Sequence, residues 1–290
     1  MEIGRIGVWL GGLSLRAADE EREVVRELER RGFGAVWFGE GVGTRESFAQ
    51  AATLLAWTSK IVVATGISNI YARDPMAMAN GSRALADAYP DRFLLGVGVS
   101  HAPSVAERGH TYASPIETMR TYLDAMDAAP YRPVAPARPP LRVLAALGPR
   151  MLELAAERAW GAHPYFTPVE HTAFARKTLG DGPLLAPEQG FLLNTDPAEA
   201  HATARAHMGY YLALDNYRNN LLRLGFSEED VAGEGSDRLV DAIVAWGDVE
   251  SVTDRVKAHL DAGADHVCVQ ALGPDPLEEL RKVAQSLTAL

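Results

Sequence analysis

Short apolar runs alternate with amphipathic segments along the whole chain. Most runs are continuous rather than alternating in polarity, which is typical of parallel strands that are covered by helices on both faces. The seventh of the eight runs is the weakest. The runs predict strands at Ile6–Leu10, Ala35–Phe38, Ile61–Ile67, Phe93–Val99, Leu141–Leu147, Ala162–Phe166, Phe191–Leu193 with the residues just before it, and His266–Leu272.

Helical periodicity fills the intervals between these runs. The predicted helices are Asp19–Arg31, Arg45–Trp57, Pro75–Ala88, Pro115–Ala128, Pro149–Ala159, Pro168–Leu179, Pro197–Leu224, Val249–Ala262 and Pro276–Leu287. Strands that alternate with helices in this way predict an α/β fold, and eight such units indicate a (β/α)8 TIM barrel. A doubly wound sheet is the less favoured alternative, because the Gly96-Val-Gly98 segment has His101 where a dinucleotide fingerprint needs its third glycine.

The chain is predicted to form one domain over residues 1–290. No linker-like change in composition, low-complexity tract or internal repeat divides it. The region from about 195 to 248 is too long for a single crossover, and it contains a long helical pattern and a glycine-rich break at Gly233 and Gly235. We interpret it as a helical insertion after the seventh strand.

Composition narrows the classes of partner. Apolar residues make up 47% and charged residues 23%, so the chain has material for a core and no signature of disorder. The net charge of −10 argues against nucleic acid as a bulk electrostatic partner. No apolar run is long enough to span a membrane, and Cys268 is the single cysteine. With no secretion signal at the amino terminus, we expect a cytoplasmic protein that acts on a small molecule.

Polar residues cluster where the predicted strands end. In a barrel, the carboxyl ends of the strands and the loops that follow them carry the reactive groups. Five short segments there are rich in Gly, Ser, Asn, His and Glu, which predicts a pocket at one rim, with ordinary loop chemistry as the alternative for any single segment. They are Gly39–Gly43, Gly66–Arg73, Gly98–Ser104, Ala146–Arg150 and His163–Thr167.

The segment Leu147–Arg150 opens a helix directly after the fifth strand. Gly148 permits close approach of a ligand, and Pro149 occupies the first helical position, where no N–H is needed. We expect the amides of Arg150 and Met151 to point outward at the positive end of the helix, which is an anion site. The alternative is a proline-started helix with a solvated arginine.

Several of these segments together resemble a known family. The stretches Ala64–Pro75 (ATGISNIYARDP), Ala35–Glu40, Arg92–His101 and Leu147–Arg150 are similar to the luciferase-like superfamily. Within it they most resemble the oxidoreductases that depend on the deazaflavin coenzyme F420. The resemblance extends from the first strand to about residue 171 and resumes at Asp265–Gln270, whereas the insertion matches only in length and helicity.

The resemblance implies a bacterial-luciferase-like (β/α)8 barrel with insertions, usually a homodimer, with a flavin-like ring in the barrel mouth. In that family a non-prolyl cis peptide at the end of the third strand supports the ring, and here the matching bond is Gly66–Ile67. The family's phosphate position matches Leu147, Gly148, Pro149 and Arg150. The remaining cofactor-binding candidates are Asn69 at the ring edge, Gly98 at the end of the fourth strand, and His163, which we place near the cofactor tail.

Two titratable residues are the candidates for proton transfer. Glu40 ends the second strand, and many deazaflavin relatives carry an acidic residue near this position followed by a histidine. Here Gly41 follows instead, so the proton donor stays open. His101, at the end of the fourth strand, is suited to acid–base work near neutral pH. For both residues, a capping or hydrogen-bonding role in a loop is the alternative.

The leading functional hypothesis is an oxidoreductase that transfers hydride between coenzyme F420 and an unidentified small organic substrate. The alternatives are a two-component monooxygenase that uses FMN, and a flavin-binding barrel without catalytic activity. The eight histidines are scattered without metal-ligand spacing, so no metal site is predicted. We expect His110 and His171 at the surface or in capping positions.

Overall fold

The computed structural model describes residues 1–290. Most of its strands coincide with the apolar runs of the sequence. All strand pairs are parallel and belong to one curled sheet. The strands are β1 (Ile6–Trp9), β2 (Ala35–Phe38), β3 (Val62–Thr65), β4 (Ser68–Asn69), β5 (Phe93–Gly98), β6 (Leu141–Leu144), β7 (Gly161–Ala162), β8 (Leu184–Leu185), β9 (Glu188–Leu192), β10 (Val244–Trp246) and β11 (Val267–Ala271).

The order across the sheet is β10-β9-β11-β1-β2-β3-β5-β6-β7-β8, and β4 pairs with β5 beside this path. Each of the eight predicted runs contains or overlaps a strand, which confirms the α/β class and the parallel sheet. The short strands β4, β8 and β10 lie outside the eight-strand count. The sheet is curled as a TIM barrel requires, with β8 and β10 at the two ends of its ladder.

Helices follow most strands and cover the outer face of the sheet. They are α1 (Ala18–Arg30), α2 (Ser47–Trp57), α3 (Pro75–Ala88), α4 (Ala102–Glu107), α5 (Pro115–Asp127), α6 (Pro149–Arg158), α7 (Val169–Leu179), α8 (Pro197–Leu212), α9 (Asp215–Arg223), α10 (Asp237–Ile243), α11 (Val249–Asp261) and α12 (Pro276–Thr288), with a 3-10 helix at Leu13–Leu15. No helix has the length and apolar character needed to cross a bilayer.

The predicted long helix Pro197–Leu224 is wrong, because the chain breaks between α8 and α9. Leu214 adopts an extended conformation between the two helices. Leu212 and Leu214 are both buried in one apolar cluster with Tyr217 and Leu221. In a continuous helix, residues two apart point about 200° away from each other, so one leucine would face solvent. The break lets both side chains reach the same core.

The inner face of the curled sheet packs a small core that also contains polar side chains. Trp37 is fully buried and donates from Nε1 to His266 Nε2 at 3.1 Å. His266 in turn donates from Nδ1 to the Gly4 carbonyl at 2.8 Å. The Trp37 ring stacks on His163, with centroids 4.5 Å apart. These contacts fix the His266 imidazole beside the amino-terminal ends of β1 and β11 and the His163 imidazole on the Trp37 ring.

Four buried histidines make the stability of this fold sensitive to acid. Burial lowers the pKa of His163, His171 and His266 to about 4 and that of His259 to about 3. In the unfolded chain these groups titrate near ~6.5, so below that pH the unfolded state binds more protons. The free energy of unfolding therefore falls as pH falls, by up to ~1.4 kcal/mol per pH unit for each group.

We predict a steep loss of stability between about pH 6.5 and 4. Glu188 has the opposite effect on the pH dependence of stability. Burial raises its pKa to about 8, so the folded state binds one proton that the unfolded state has released. Urea unfolding of the wild type and of His259→Gln at several pH values measures the effect. The variant should be less stable at pH 7 but have a slope shallower by about one proton. An unfolding free energy that is constant over this range contradicts the prediction.

Candidate functional site

A cavity of about 600 Å³ opens at the carboxyl ends of the strands. One side, the strand-end wall, includes Gly66, Ile67, Asn69 and Gly98. The opposite side, the insertion wall, is formed by Tyr210, Tyr211, Asn216, Tyr217, Asn219 and Arg223 of α8 and α9. The structure places all the predicted catalytic and cofactor-binding residues in the lining of this cavity: Glu40, Gly66, Ile67, Asn69, Gly98, His101, Leu147, Gly148, Pro149, Arg150 and His163.

The Gly66–Ile67 peptide bond is cis, as the family resemblance implies. The Ile67 side chain lies where a side chain on residue 98 would be: a Cβ added to Gly98 would stand 2.6 Å from both Cγ1 and Cδ1 of Ile67. A Cβ on Gly66 would lie 2.7 Å from Trp9 Nε1 and 2.9 Å from His163 Nε2. The absence of side chains at two strand ends therefore determines the shape of this wall.

Glu40 holds the segment that follows Ile67. Its Oε2 accepts the backbone N–H of Asn69 at 2.8 Å, and its Oε1 accepts the Ser47 N–H at 3.2 Å. Arg73 also donates to Oε1, and both side chains of this ion pair are largely buried. Both carboxylate oxygens thus have donors within the protein. The geometry gives Glu40 a positioning function, and its part in proton transfer stays a prediction.

Asn69 presents a hydrogen-bond donor to the cavity. Its Oδ1 accepts the backbone N–H of Tyr71 at 2.9 Å. Because that donor requires an oxygen, the amide orientation is fixed and Nδ2 is left without a partner in the protein. The Asn69 side chain is buried apart from the surface that lines the cavity. It is therefore able to donate to the edge of a bound ligand.

His101 lies at the amino-terminal end of α4 and faces the insertion wall. Burial lowers the pKa of its imidazole, and the Asn216 side chain partly opposes that shift. The ring is therefore neutral at pH 7, so it carries a lone pair that accepts a proton or a hydrogen bond. Tyr217 is its aromatic neighbour, with ring centroids 5.5 Å apart.

The start of α6 has the features of an anion site, with one difference from expectation. The Met151 amide donates to the Gly148 carbonyl at 3.1 Å, so only the Arg150 amide of the expected pair is free. The Arg223 side chain adds a positive charge beside this helix start. The guanidinium of Arg223 lies 3.7 to 3.8 Å from the position of a Cβ on Gly148, and Asn220 Oδ1 accepts from its Nη1 at 3.0 Å.

His171 is not the surface residue that the sequence suggested. It is fully buried, and its Nε2 donates to the Leu147 carbonyl at 2.8 Å. This bond anchors the segment that leads into α6 to helix α7. His163 is also buried, and its Nδ1 donates to the Ala186 carbonyl at 2.7 Å. Its Nε2 has no partner, like the neighbouring Trp9 Nε1.

The insertion wall contains the residues that sequence reasoning missed. Asn216, Asn219 and Arg223 recur at i, i+3 and i+7, so they share one face of α9. This polar spacing is visible in the sequence, but only the observed break at Leu214 brings that face to the cavity. No group of three or more His, Cys, Asp or Glu side chains is arranged to hold a metal ion.

Comparison with known proteins identifies relatives over nearly the whole chain. Residues 4–266 match the family described as luciferase-like monooxygenase. A protein of Mycobacterium tuberculosis, named as a coenzyme F420-dependent oxidoreductase, is 25% identical, with 97% of this chain and 99% of the relative aligned.

Solved structures share the fold at lower identity. An F420-dependent secondary alcohol dehydrogenase in complex with an F420-acetone adduct superposes with a TM-score of 0.77 at 15% identity, covering 98% of this chain and 99% of the other. The oxygenating constituent of 3,6-diketocamphane monooxygenase from Pseudomonas putida, in complex with FMN, gives a TM-score of 0.73 at 14% identity, covering 98% and 96%.

We predict that Gly98→Ala destabilises the protein by roughly 1–3 kcal/mol, because the new methyl group displaces Ile67. The matched control is Gly182→Ala, where a Cβ meets no atom within 4 Å. That substitution should be neutral or slightly stabilising. Truncation of the opposing side chain, in Gly98→Ala/Ile67→Ala, should cost less than the sum of the single changes. Urea unfolding measures the wild type, Gly98→Ala, Ile67→Ala, the double variant and the Gly182→Ala control, and strictly additive effects exclude the proposed contact.

Proposed function

The chain belongs to the luciferase-like monooxygenase family, and from that premise we propose that it is an oxidoreductase that transfers hydride between coenzyme F420 and a small organic substrate. One observation carries the proposal: a single cavity combines the side-chain-free wall at Gly66 and Gly98 with two arginines, Arg150 and Arg223, that form no ion pair. The F420-related protein and the F420-adduct complex among the relatives support the choice of cofactor.

The residues present fit a flavin-like group. The cavity volume of about 600 Å³ is within the range of small-molecule sites. Gly66 and Ile67 would hold the back of the ring, and Asn69 Nδ2 would donate to its edge. The Arg150 amide and the Arg223 guanidinium would hold a phosphate at the other end. When bound, a deazaflavin supplies the donor or acceptor for a two-electron hydride transfer.

The protein itself would orient the cofactor and the substrate and would control proton transfer. The strand-end wall would hold one face of the ring, which leaves the side of the insertion wall for the substrate. The neutral imidazole of His101 is the group that we propose accepts or returns the substrate's proton there. The Glu40–Arg73 ion pair keeps the Asn69 segment in place. With cofactor and substrate bound, the insertion wall would limit the access of bulk water to the space between the two walls.

The FMN-dependent monooxygenase is the second candidate. The FMN complex among the structural relatives supports it, and the proposed phosphate site suits either cofactor, because each carries a phosphate on a ribityl chain. Oxygen consumption that depends on reduced FMN distinguishes this activity from hydride transfer. A barrel that binds flavin without catalysis is the third alternative, and it predicts cofactor binding with neither reaction.

We further propose that the curled sheet closes as a (β/α)8 barrel. Only Ala186 and Pro187 separate β8, which pairs with β7, from β9, which pairs with β11. The Ala186 amide donates to the Ala162 carbonyl at 3.0 Å, and the Cys268 amide donates to the Pro187 carbonyl at 2.8 Å. These bonds support a single interrupted seventh strand from 184 to 192. The single-domain boundary, the homodimer and the cytoplasmic location stay predictions.

We predict saturable binding of F420 by the purified protein, measured by quenching of the cofactor's fluorescence, with weaker binding of FMN. The reduced cofactor should then be oxidised by an organic acceptor without oxygen consumption. Binding of FMN in preference to F420, together with oxygen consumption, would favour the monooxygenase. Failure to bind either cofactor at saturating concentration would falsify the proposed function.

We predict that Arg223→Gln weakens F420 binding roughly fivefold to tenfold, because it removes one exposed charge contact to phosphate. The affinity for the deazaflavin that lacks the phosphate should not change. Arg218→Gln is the matched control, since Arg218 is on the same helix and pairs with Glu228 outside the cavity. Equal losses for both forms of the cofactor rule out a phosphate contact.

A further inference from the structure

Tyr217 is a buried residue whose hydroxyl group has no hydrogen-bond partner in the protein. The residue lies in the first turn of α9, only 7% of its surface is exposed, and it lines the cavity. The other buried tyrosine, Tyr122, donates to the Arg73 carbonyl at 2.9 Å. The Tyr217 hydroxyl is not enclosed by protein atoms, so its hydrogen is available to a ligand in the cavity.

The neighbouring tyrosine hydroxyls are already bonded to each other. Tyr165 donates to Gln270 Oε1 at 2.9 Å, so the contact of 2.9 Å between Tyr165 and Tyr211 requires Tyr211 to be the donor. Neither hydrogen is left for a ligand. The Tyr217 ring packs edge-on against Phe166 and Tyr211, which fixes its plane. Of the tyrosine rings that pack against Phe166, Tyr217 thus keeps a free donor, and its ring is held in a defined position.

The same part of the cavity carries no unpaired charge. Of the charged residues in the lining, Glu40 is paired with Arg73, and Arg150 and Arg223 lie beside the start of α6. Apart from Arg223, the insertion wall consists of tyrosine and asparagine side chains. A charged group placed there would lose its hydration without gaining a counter-ion. This region therefore suits an uncharged ligand with one acceptor oxygen.

We propose that Tyr217 is a catalytic residue whose hydroxyl binds the oxygen of an uncharged carbonyl substrate, and that the insertion thereby selects neutral ketones and aldehydes over carboxylates. The inference rests on the proposed function. In carbonyl reduction, a hydride supplied by the reduced deazaflavin would add to the carbon, the π electrons would pass to the oxygen, and a proton from water, relayed by His101, would complete the alcohol. The substrate is reduced by two electrons and the deazaflavin is oxidised by two.

Tyr217 acts in this step by hydrogen bonding alone. Burial raises the pKa of its hydroxyl well above the usual range, and the neighbouring Tyr211 and Glu188 add to the effect. The O–H therefore stays protonated and donates throughout the reaction. Its bond strengthens as negative charge develops on the substrate oxygen, so it stabilises the transition state more than the ground state.

The probe is acetophenone with ¹³C at the carbonyl, observed by isotope-edited infrared difference spectroscopy on the full-length protein. In the wild type, the bound carbonyl stretch should lie below its value in hexane, as a hydrogen-bonded carbonyl does. In Tyr217→Phe the stretch should return toward the hexane value. Tyr131→Phe, which makes the same chemical change outside the cavity, should resemble the wild type. A wild-type stretch equal to that in hexane overturns the proposal even if the variant does not fold.

Kinetics and binding provide the second readout. With reduced F420 and acetophenone, Tyr217→Phe should lower kcat/KM about 100-fold, the cost of one such donor, with the Kd for F420 unchanged within twofold. Unchanged kcat/KM, or binding of benzoate in preference to acetophenone and cyclohexanone, overturns the proposal while intact F420 binding leaves the proposed function standing. Loss of F420 binding by the wild type itself is instead a failure of the proposed function.

Discussion

The shape of the cavity depends on one steric constraint: the side chain of Ile67 and a side chain at position 98 cannot occupy the same space. With glycine at 98, Ile67 packs against the end of β5. Glu40 then holds the next segment through the Asn69 amide, and Arg73 neutralises the buried carboxylate. Glycines and one ion pair thus keep the wall free of side chains at positions 66 and 98. The proposed seat of the cofactor ring is this wall.

One end of the cavity is lined by positively charged residues, and the rest of the insertion wall is uncharged. The two free arginines lie at the start of α6, where the helix dipole also favours an anion. The chain as a whole has a net charge of −10, so these cations form a local exception. Elsewhere the insertion wall is uncharged and aromatic. A ligand with an anionic tail, a flat body and a neutral reaction partner matches this distribution, and the proposed cofactor and substrate class have these properties.

The sequence predicted the strand-end wall well and the insertion wall poorly. The apolar runs place strand ends reliably, because a parallel strand with helices on both faces needs continuous apolar residues. Gly66, Asn69, Gly98 and the start of α6 follow from those ends, and the cis bond followed from family resemblance. Tyr217 and Arg223 could not be found in this way. Their positions depend on the break at Leu214, which arises from burial of two leucines rather than from any helix-breaking residue.

His171 likewise became buried through packing of α7, which a single histidine in a sequence does not reveal.

A crystal structure of the protein with F420 tests the central claim most directly. The account predicts the tricyclic ring in contact with Gly66 and Ile67, the phosphate within hydrogen-bonding distance of the Arg150 amide, and an open space between the ring and Tyr217. A ring bound against the insertion wall, or a phosphate distant from α6 at full occupancy, would contradict it.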